Sequence, residues 1–530
     1  MSPAFPLIRN TAALKDRQFD VLVIGGGIYG AWTAYDAAQR GLSVALIEKN
    51  DWASGTSSAS SKLIHGGLRY LEHYDFGLVR DALAERRRLH RIAPHLVRPL
   101  DFIMPVWKGP RASPFLLSCG LFLYDLLGLP SQPVHWHRHY SRHQLLEAFP
   151  YVDPVRLLGG FRYGDCQEDD ARMTLVVVAA AQSAGAFVAN RIGALELLQG
   201  TSGAKVRDEM SGETFDLRAR VTVNAAGPWA PQLLGRASPA VKRVKGIHIV
   251  LPAIPNCDSA FLLTATDGRV FFVIPWYGRT IVGTTETEIS DPDTLRATDE
   301  EVRYLLHGVK NGLPGISWTE SDVIARYAGV RTLQAEDEEH LAAVTREFTV
   351  LEPLPNLIMP LGGKYTTARS DAAEIVDQAQ KLLNLKRSTH RTGTTPLPGT
   401  PASTQNFETW LASAISELRR RGVDGDAARC LSLRYGEHVL RILELLAETP
   451  SWSERLHPDA PFIRAEAVLA VRDEMALSLD DVIRRRIPLS LLVPLDKQTL
   501  MTIAEFLAPL LQRSMEELVF QYEQAQPQTP

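Results

Sequence analysis

The stretch FDVLVIGGGIYGAWTAYDAAQRGLSVALIEKND, residues 19–51, decides the predicted fold. It begins with a short apolar run, Val21 to Ile24, which is typical of a strand buried on both faces. A segment rich in small residues follows and stops at Gly41, a natural helix end. A second strand, Ser43 to Ile47, leads into Glu48, whose carboxylate can bind a ribose hydroxyl. This order of elements predicts a dinucleotide-binding βαβ unit.

The glycines between the first strand and the helix have the G-x-G-x-x-G spacing. Gly25 permits the tight turn, Gly27 lets the backbone approach a pyrophosphate, and Gly30 lets the helix pack closely on the strand. The spacing does not identify the dinucleotide.

Two later segments repeat the pattern of strand, glycine and helix. RARVTVNAAGPWAPQLLG (218–235) turns at Ala226-Gly227, and LPNLIMPLGGKYTTARSDAAEIVDQAQKLL (354–383) turns at Gly362-Gly363. The exposed amides at such a helix start favour an anionic group. Three junctions of this kind, spread over most of the chain, predict one long cofactor that is contacted at several points.

The composition is that of an ordinary soluble protein. Among 530 residues, 45% are hydrophobic and 22% charged, and the net charge of −4 gives no reason to expect nucleic acid. The four cysteines are scattered, which argues against a disulfide framework or a zinc site. The N-terminus lacks a signal-peptide pattern, and no apolar run reaches the roughly 18 residues of a spanning helix. We therefore expect a cytoplasmic protein without a metal.

A hydroxyl-rich loop follows the βαβ unit. SSASSKLIHGGLRYLEHYDFGLV (57–79) passes through a Lys, a His, two glycines and an Arg. Taken alone, Arg69 is better explained as a surface ion pair at a helix start, and His65 as a core histidine. The arginine-rich segments ERRRLHR (85–91) and RRRIP (484–488) are interpreted as solvated helix faces, and HWHRHYSRH (135–143) as a solvated loop.

Together, these segments resemble one family, the FAD-dependent glycerol-3-phosphate dehydrogenases that feed the respiratory chain. The resemblance covers the chain to about residue 375 and is most specific in the hydroxyl-rich loop. A looser likeness continues toward the C-terminus. The other motifs that carry it are YGDCQEDDARM, NAAGPWA, KGIHIV, VIPWYGRTIVGTTETE, YAGVRTL and GGKYTTAR. In YAGVRTL, Ala328 and Thr332 differ from the Ser-Gly-Val-Arg-Pro sequence that is usual in the family.

The resemblance implies an α/β fold (α+β overall). It combines a Rossmann-like FAD-binding domain of the glutathione-reductase/D-amino-acid-oxidase type, an interleaved antiparallel β substrate (cap) domain and a C-terminal all-α domain. The expected divisions are an FAD-binding domain at 18–95, 165–245 and 320–387, a cap domain at 96–164 and 246–319, a linker at 388–404, and a helical domain at 405–530.

The resemblance also implies the site residues. FAD would contact Gly25, Gly27, Ile28, Gly30, Glu48, Lys49, Thr56, Ser57, Ser61, Lys62, Leu63, His65, Gly66, Gly67, Ala226, Gly227, Gly362, Gly363, Lys364 and Thr366. The substrate would contact Arg69, Tyr70, Thr284, Arg331 and Lys364. The catalytic residues would be His248, Arg331 and Lys364, with His248 as a base of near-neutral pKa. From the residues alone, His248 is nearly as well explained as a sheet histidine bonded to a neighbour, and Thr284 as a cross-strand pair.

The implied reaction is oxidation of sn-glycerol 3-phosphate to dihydroxyacetone phosphate, with hydride passing to FAD and electrons to membrane quinone. The alternatives are an amine or hydroxy-acid oxidase of the same fold that uses O₂, and a non-catalytic flavin-binding protein. A homodimer is compatible with the resemblance.

The apolar segment SPFLLSCGLFLYDLLGLP (113–130) can be interpreted in two ways. From its composition alone, it is equally consistent with burial in the protein core and with a position in the membrane interface. The resemblance favours a peripheral site on the inner face of the cytoplasmic membrane.

Overall fold

The computed structural model describes residues 4–15, 17–68, 71, 75–109, 113–334, 348–402 and 406–525. The strands of this part of the chain are β1 (Gln18–Ile24), β2 (Val44–Ile47), β3 (Leu63–Ile64), β4 (Arg98–Trp107), β5 (Arg138–Ser141), β6 (Leu157–Gln167), β7 (Phe187–Ala189), β8 (Ile192–Leu197), β9 (Gly203–Asp208), β10 (Thr214–Asn224), β11 (Val241–Pro252), β12 (Ala260–Thr264), β13 (Val270–Trp276), β14 (Arg279–Gly283), β15 (Thr287–Ile289), β16 (Ala325–Gln334), β17 (Thr349–Leu354) and β18 (Leu357–Leu361).

The helices divide into those interleaved with the strands and those that follow the last strand. The α-helices of the described residues are α1 (Ala12–Lys15), α2 (Ile28–Gln39), α3 (Phe76–Ile92), α4 (Pro114–Leu127), α5 (Arg142–Ala148), α6 (Asp170–Ser183), α7 (Ala230–Leu234), α8 (Asp299–Gly312), α9 (Ala368–Leu382), α10 (Phe407–Arg420), α11 (Gly425–Tyr435), α12 (Val439–Glu448), α13 (Arg464–Arg472), α14 (Leu489–Leu492), α15 (Lys497–Leu511) and α16 (Met515–Ala525).

The first sheet has parallel strands at its centre, in the order β18-β10-β1-β2-β7. Strand β17 is antiparallel at one edge, and β9 joins β10 antiparallel, with β8 beside β9. The register sets Ile24 of β1 opposite Ile47 of β2 and Asn224 of β10. The turns after these strands therefore lie at one edge of the sheet, where ligands of open α/β sheets bind.

Helices α2, α6 and α9 cover one face of this sheet. Their inward residues, such as Trp32, Val177 and Ile375, share one core with β1 and β2. Helix α2 can pack closely because small residues line it, and Ala31, Ala34 and Ala37 are fully buried. The predicted βαβ unit is thus the centre of the first domain.

The second sheet is mostly antiparallel, in the order β15-β11-β14-β13-β12-β4-β6-β3, with β16 beside β11 and β5 beside β6. Helices α5 and α8 pack on one face through residues such as Leu145 and Leu305. The C-terminal helices bury residues such as Ile483 and Leu500 in one core with β4 and β6 of this sheet. The predicted α/β fold class, with a cap sheet and a C-terminal helical region, is confirmed.

The domain boundaries stay a prediction, but two details of the structure bear on them. Strand β16 falls within the predicted FAD-binding segment 320–387, yet it pairs along β11 in the second sheet. Within the predicted linker, Leu397 is buried and its amide donates to the carbonyl of Ile92 at 2.9 Å. The described part of 388–404 therefore packs against the end of α3.

The arginine-rich segments differ from the prediction. Arg86, Arg485 and Arg486 are buried, so the interpretation of both segments as solvated helix faces is wrong for these residues. Each of these arginines has a buried carboxylate partner: Arg86 pairs with Asp165, and Arg485 and Arg486 with Asp51. No helix among the described residues is both long and apolar enough to cross a membrane.

Candidate cofactor and substrate site

The glycine turn after β1 depends on three glycines for different steric reasons. Gly25 has φ +112°, and a Cβ there would lie 2.5 Å from the carbonyl oxygen of Ala225. A Cβ on Gly30 would lie 1.9 Å from the carbonyl oxygen of Gly25, so the helix could not pack on the turn. A Cβ on Gly27 would lie 3.0 Å from Oγ of Ser57, which accepts a hydrogen bond from the amide of Ile28.

The carboxylate of Glu48 lies beside this turn. Its Oε2 accepts from the amide of Gly26 at 2.7 Å, and its Oε1 accepts from the amide of Asn50 at 2.8 Å. Burial raises the pKa of Glu48, and these backbone hydrogen bonds oppose the rise. Carboxylate oxygens have further lone pairs, so a ribose hydroxyl can still donate to this group. Lys49, the next residue, is exposed.

The three strand-to-glycine-to-helix junctions meet in space. The turn of Gly25 contacts Ala225, directly before Ala226 and Gly227. A Cβ on Gly363 would lie 1.8 Å from the hydroxyl of Tyr29, in the first turn of α2. The sequence-based expectation that these distant glycine turns face one ligand is therefore consistent with their positions.

Tyr29 and Asp371 hold the third junction, and neither was predicted from the sequence. The Tyr29 hydroxyl donates to Oδ2 of Asp371 at 2.5 Å and lies 3.3 Å from the carbonyl oxygen of Lys364. Thr367 also donates to Asp371, at 2.9 Å. Burial raises the pKa of Asp371 to about 7. The only sequence signal was a carboxylate one turn into the helix that follows GGK.

Two side chains fix the N-terminal part of the hydroxyl-rich loop. The Thr56 hydroxyl donates to the carbonyl of Val330 on β16 at 2.7 Å. Lys62 is buried, and its Nζ lies 2.5 Å from Oδ1 of Asp170 and 2.8 Å from the carbonyl of Ser58. The Lys62 side chain therefore binds another residue of the loop and the first residue of α6. Its contact with FAD stays a prediction.

The segment after Lys62 continues through β3, where Leu63 pairs with Gln167 of β6. The amide of half-buried His65 donates to Oγ1 of Thr366 at 3.3 Å, which connects this segment to the third junction. A Cβ on Gly66 would lie 2.5 Å from the side chain of Leu83, and Gly67 has φ +75°. Glycine is therefore required at both positions for steric reasons.

His248 lies on β11 in an enclosed, polar environment. Its Nε2 is 2.8 Å from Oγ of Ser61, and its ring stacks on Tyr327 with centroids 4.9 Å apart. Among the described residues, Nδ1 has no hydrogen-bond partner. Burial, with the positive charges of Lys62 and Arg331, lowers the pKa of His248 to about 3. The expected near-neutral pKa is therefore wrong, because the imidazole is removed from water beside two cations.

Arg331 and Thr284 converge beside this histidine. Arg331 lies on β16, half-buried, with Nη1 3.3 Å from Oε1 of Glu286. An ideal Cβ on Gly246 would lie 2.3 Å from Oγ1 of Thr284 and 3.5 Å from Nη2 of Arg331. The absence of a side chain at Gly246 thus lets the Thr284 hydroxyl and the Arg331 guanidinium approach the same part of β11. A guanidinium and a hydroxyl are groups that bind a phosphate ester.

Two predicted substrate contacts, Arg69 and Tyr70, lie outside the described residues. Among those described, the structure brings Thr284, Arg331 and His248 together near Ser61. The roles assigned to them stay predictions.

The residues present fit FAD. A glycine turn precedes the N-terminus of α2, a carboxylate ends β2, and a second glycine pair begins at the end of β18. A side chain on Gly27 would point at Ser57 and fill the space over the helix start. A helix start and glycine turns suit a pyrophosphate, a carboxylate suits a ribose, and the second glycine pair suits a long planar ring along the sheet edge.

Comparison with known families agrees with this geometry. Residues 20–369 match the family described as FAD dependent oxidoreductase. Residues 390–518 match the C-terminal domain of alpha-glycerophosphate oxidase. A solved structure, the glycerol-3-phosphate dehydrogenase from Bacillus halodurans complexed with FAD, aligns with a TM-score of 0.79 and 28% identity over 98% of this chain and 97% of that one.

Two curated relatives are similar over nearly their whole length. The glycerol-3-phosphate dehydrogenase of Synechocystis sp. is 36% identical, covering 91% of this chain and 90% of the relative. Glycerol-3-phosphate dehydrogenase 2 of Mycobacterium tuberculosis is also 36% identical, covering 94% and 86%. The chain therefore belongs to the FAD-dependent glycerol-3-phosphate dehydrogenase family of FAD-dependent oxidoreductases, and its cofactor is FAD.

Proposed function

We propose that this protein oxidises sn-glycerol 3-phosphate to dihydroxyacetone phosphate and passes the electrons to membrane quinone. The observation that carries the proposal is the convergence of Arg331, Thr284 and His248 on the second sheet, where His248 contacts Ser61 of the hydroxyl-rich loop. A cation and a hydroxyl suit the phosphate, and a neutral imidazole suits a substrate hydroxyl. The relatives that share most of this chain are named glycerol-3-phosphate dehydrogenases.

In this proposal Arg331 and Thr284 bind the phosphate oxygens and orient the substrate. Nε2 of His248 is hydrogen-bonded to the Ser61 hydroxyl, and in the tautomer that carries its proton on Nε2, Nδ1 accepts the substrate's hydroxyl proton. The stacked ring of Tyr327 keeps the imidazole in place. When bound, FAD supplies the hydride acceptor.

Anaerobic reduction tests the substrate. Adding sn-glycerol 3-phosphate to the purified protein without air should bleach the flavin absorbance, whereas glycerol should not, because it lacks the anion. A flavin that stays oxidised in the presence of glycerol 3-phosphate would exclude the proposed reaction.

The electron acceptor needs its own test, because the match of residues 390–518 to an oxidase domain favours a second candidate. That candidate oxidises the same substrate but transfers the electrons to O₂. Turnover in air that releases one peroxide per substrate would support the oxidase. Faster reoxidation by a quinone analogue than by air, with little peroxide, would support the quinone-linked enzyme.

Replacing Arg331 with Ala should lower kcat/KM for glycerol 3-phosphate while FAD stays bound. Losing a charge-assisted contact to the phosphate costs about 2–4 kcal/mol, or about 30- to 1,000-fold. Arg326→Ala is the matched control, because Arg326 lies on the same strand but is exposed and pairs with Asp299. Equal kinetics for the two variants would remove Arg331 from the substrate site.

Helix α4 provides the observation behind a membrane contact. Phe115, Leu116, Phe122 and Leu126 are 78%, 61%, 54% and 47% exposed. The alternative that this apolar segment is core does not hold for these four side chains. Trp136, which is also exposed, lies with its ring centroid 6.2 Å from that of Phe122. An apolar patch of this kind marks an interaction surface, and an amphipathic helix can lie in the membrane interface.

The other face of α4 contacts the predicted flavin loop. The Tyr124 hydroxyl accepts from the amide of Gly66 at 2.9 Å and donates to Asp165 at 2.8 Å. A quinone dissolved in lipid at α4 would therefore approach the segment that we place beside the flavin. We infer peripheral attachment to the inner face of the cytoplasmic membrane through this helix. Arg111, which precedes this helix in the sequence and is a candidate contact for anionic headgroups, lies outside the described residues.

A variant with Ser at Phe115, Leu116, Phe122 and Leu126 should lose liposome binding by about tenfold or more, because apolar side chains drive interfacial insertion. It should also lose quinone reductase activity but keep activity with a soluble dye. Leu440→Ser with Phe520→Ser is the control, since both side chains are exposed on C-terminal helices. Liposome co-sedimentation of the four-Ser variant at the parent's level would place the anchor elsewhere.

A further inference from the structure

Three arginines of the C-terminal domain, Arg484 to Arg486, reach the edge of the first sheet from one π-helical turn, Asp481–Arg486. Arg486 binds Asp51 through both of its terminal nitrogens, Nη1 to Oδ2 at 2.6 Å and Nη2 to Oδ1 at 2.8 Å. Arg485 adds a third contact, from Nε to Oδ2 of Asp51 at 2.7 Å. Asp51 is fully buried and Arg486 is 1% exposed.

The turn that contains Asp51 supports the glycine turn from behind. Asp51 follows Glu48 by three positions, and Ala53 donates from its amide to the carbonyl of Gly26 at 3.0 Å. The ring of Trp52 packs so closely on Gly26 that a Cβ there would lie 2.5 Å from it. The arginines therefore hold, through one carboxylate, the segment that contains the predicted ribose and pyrophosphate contacts.

A second contact reaches the hydroxyl-rich loop. Arg484 donates from Nη2 to the carbonyl of Ser58 at 3.4 Å, and its guanidinium lies 5.6 Å from the ring centroid of Tyr327. Lys62 donates to the same carbonyl at 2.8 Å. Two separate FAD-contacting segments, after β2 and before β3, are thus tied to one turn of the C-terminal domain.

The electrostatics make this connection strong. Burial alone would raise the pKa of Asp51, but the adjacent charges of Arg486 and Arg485 hold it well below its ordinary value. Removing one partner of a buried ion pair leaves an uncompensated charge, so the remaining groups must move or take up water. Any such movement would displace the turn against which Gly26 packs.

We propose that the C-terminal helical domain is a structural component of the cofactor site, in which Arg484, Arg485 and Arg486 are positioning residues that hold residues 48–58 in the FAD-binding conformation. The proposal depends on the placement of FAD at the glycine turn and is independent of the substrate and the electron acceptor.

The test compares two buried carboxylates that pair with arginines between the same two parts of the chain. Asp51→Asn weakens the contact to Arg485 and Arg486. Glu474→Gln is the control, because Glu474 is fully buried and its carboxylate pairs with Arg172 of α6 at 2.5 Å. Arg486 also donates to Glu474, but only to its backbone carbonyl, which the substitution keeps. For each full-length variant, the FAD dissociation constant is measured by titrating apoprotein, and the Tm with and without FAD.

Both variants should have a lower Tm as apoproteins, since each loses a buried ion pair. Asp51→Asn should also raise the FAD dissociation constant by about tenfold or more and reduce the Tm gain that FAD gives. Glu474→Gln should leave the dissociation constant within about twofold of the parent, because the Glu474 carboxylate pairs with α6 and not with residues 48–58.

An unchanged FAD dissociation constant in Asp51→Asn, or an equal increase in both variants, would overturn the proposal. If Asp51→Asn does not fold, Arg486→Lys is judged by the same criterion, because Lys keeps the charge but loses the two-point contact. A wrong placement of FAD would show separately, as full flavin binding in a Gly27 variant.

Discussion

Gly27→Val should yield a chain without bound FAD. The new side chain would start 3.0 Å from Oγ of Ser57, at the N-terminus of α2, where the pyrophosphate must approach the backbone. Two further methyl groups on the Cβ would fill that space and disturb the hydrogen bond from the Ile28 amide to Ser57. We therefore expect apoprotein or a misfolded chain, measured as the ratio of flavin to protein absorbance after purification.

Gly77→Val controls for the loss of a glycine as such. Gly77 lies at the start of α3, and a Cβ there would have no atom within 4 Å among the residues that the structure describes. This variant should bind FAD as the parent does. A Gly27→Val protein with a full flavin spectrum would contradict the assignment of the glycine turn to the pyrophosphate.

His248→Ala should lower kcat by about 10²-fold, the lower end of the usual contribution of a general base, because a pKa of about 3 makes the imidazole a weak proton acceptor. The pKa of about 3 means that the imidazole is neutral, and so able to accept a proton, at every pH well above 3. Protonation of this group should therefore not reduce kcat/KM between about pH 5 and 8. The expected pH profile of the parent has no acidic limb from His248 in that range.

Two further variants distinguish loss of the proposed base from loss of a neighbouring group or of another imidazole. Tyr327→Phe keeps the stacked ring and should retain most activity, because only the hydrogen bond to Ser60 is lost. His65→Ala tests the other candidate imidazole, which is half-buried and thus closer to solvent than His248. If His65→Ala loses more activity than His248→Ala, His65 becomes the better candidate for the base.

The cofactor fold was predictable because its signals are local. The G-x-G-x-x-G spacing, the apolar run before it and Glu48 after the second strand all lie within residues 19–51. Each reflects a steric or hydrogen-bonding need of neighbouring chain, such as the contact of Gly30 with Gly25. Parallel pairing then brings the ends of β1, β2 and β10 to one edge without further information.

The partners of the buried polar groups were not predictable in the same way. Arg486 lies 435 positions from Asp51, and Tyr29 lies 342 positions from Asp371. A run of arginines has the same composition whether it faces water or a buried carboxylate. The pKa of His248 also depends on burial and on Lys62 and Arg331, which lie on other segments.

The sequence by itself determined the FAD-binding unit, because the steric demands of a glycine turn act between neighbouring residues. Its motifs also indicated the family by resemblance, whereas the site residues that the resemblance implies stay predictions. Only the tertiary structure decided which charged groups are buried together and which face of α4 is left uncovered. The composition of residues 113–130 is equally consistent with the protein core and with the membrane interface, whereas the packing of α4 buries Tyr124 and exposes Phe115. The physical reason is that burial is a property of what packs against a side chain, and those contacts come from parts of the chain that are distant in sequence.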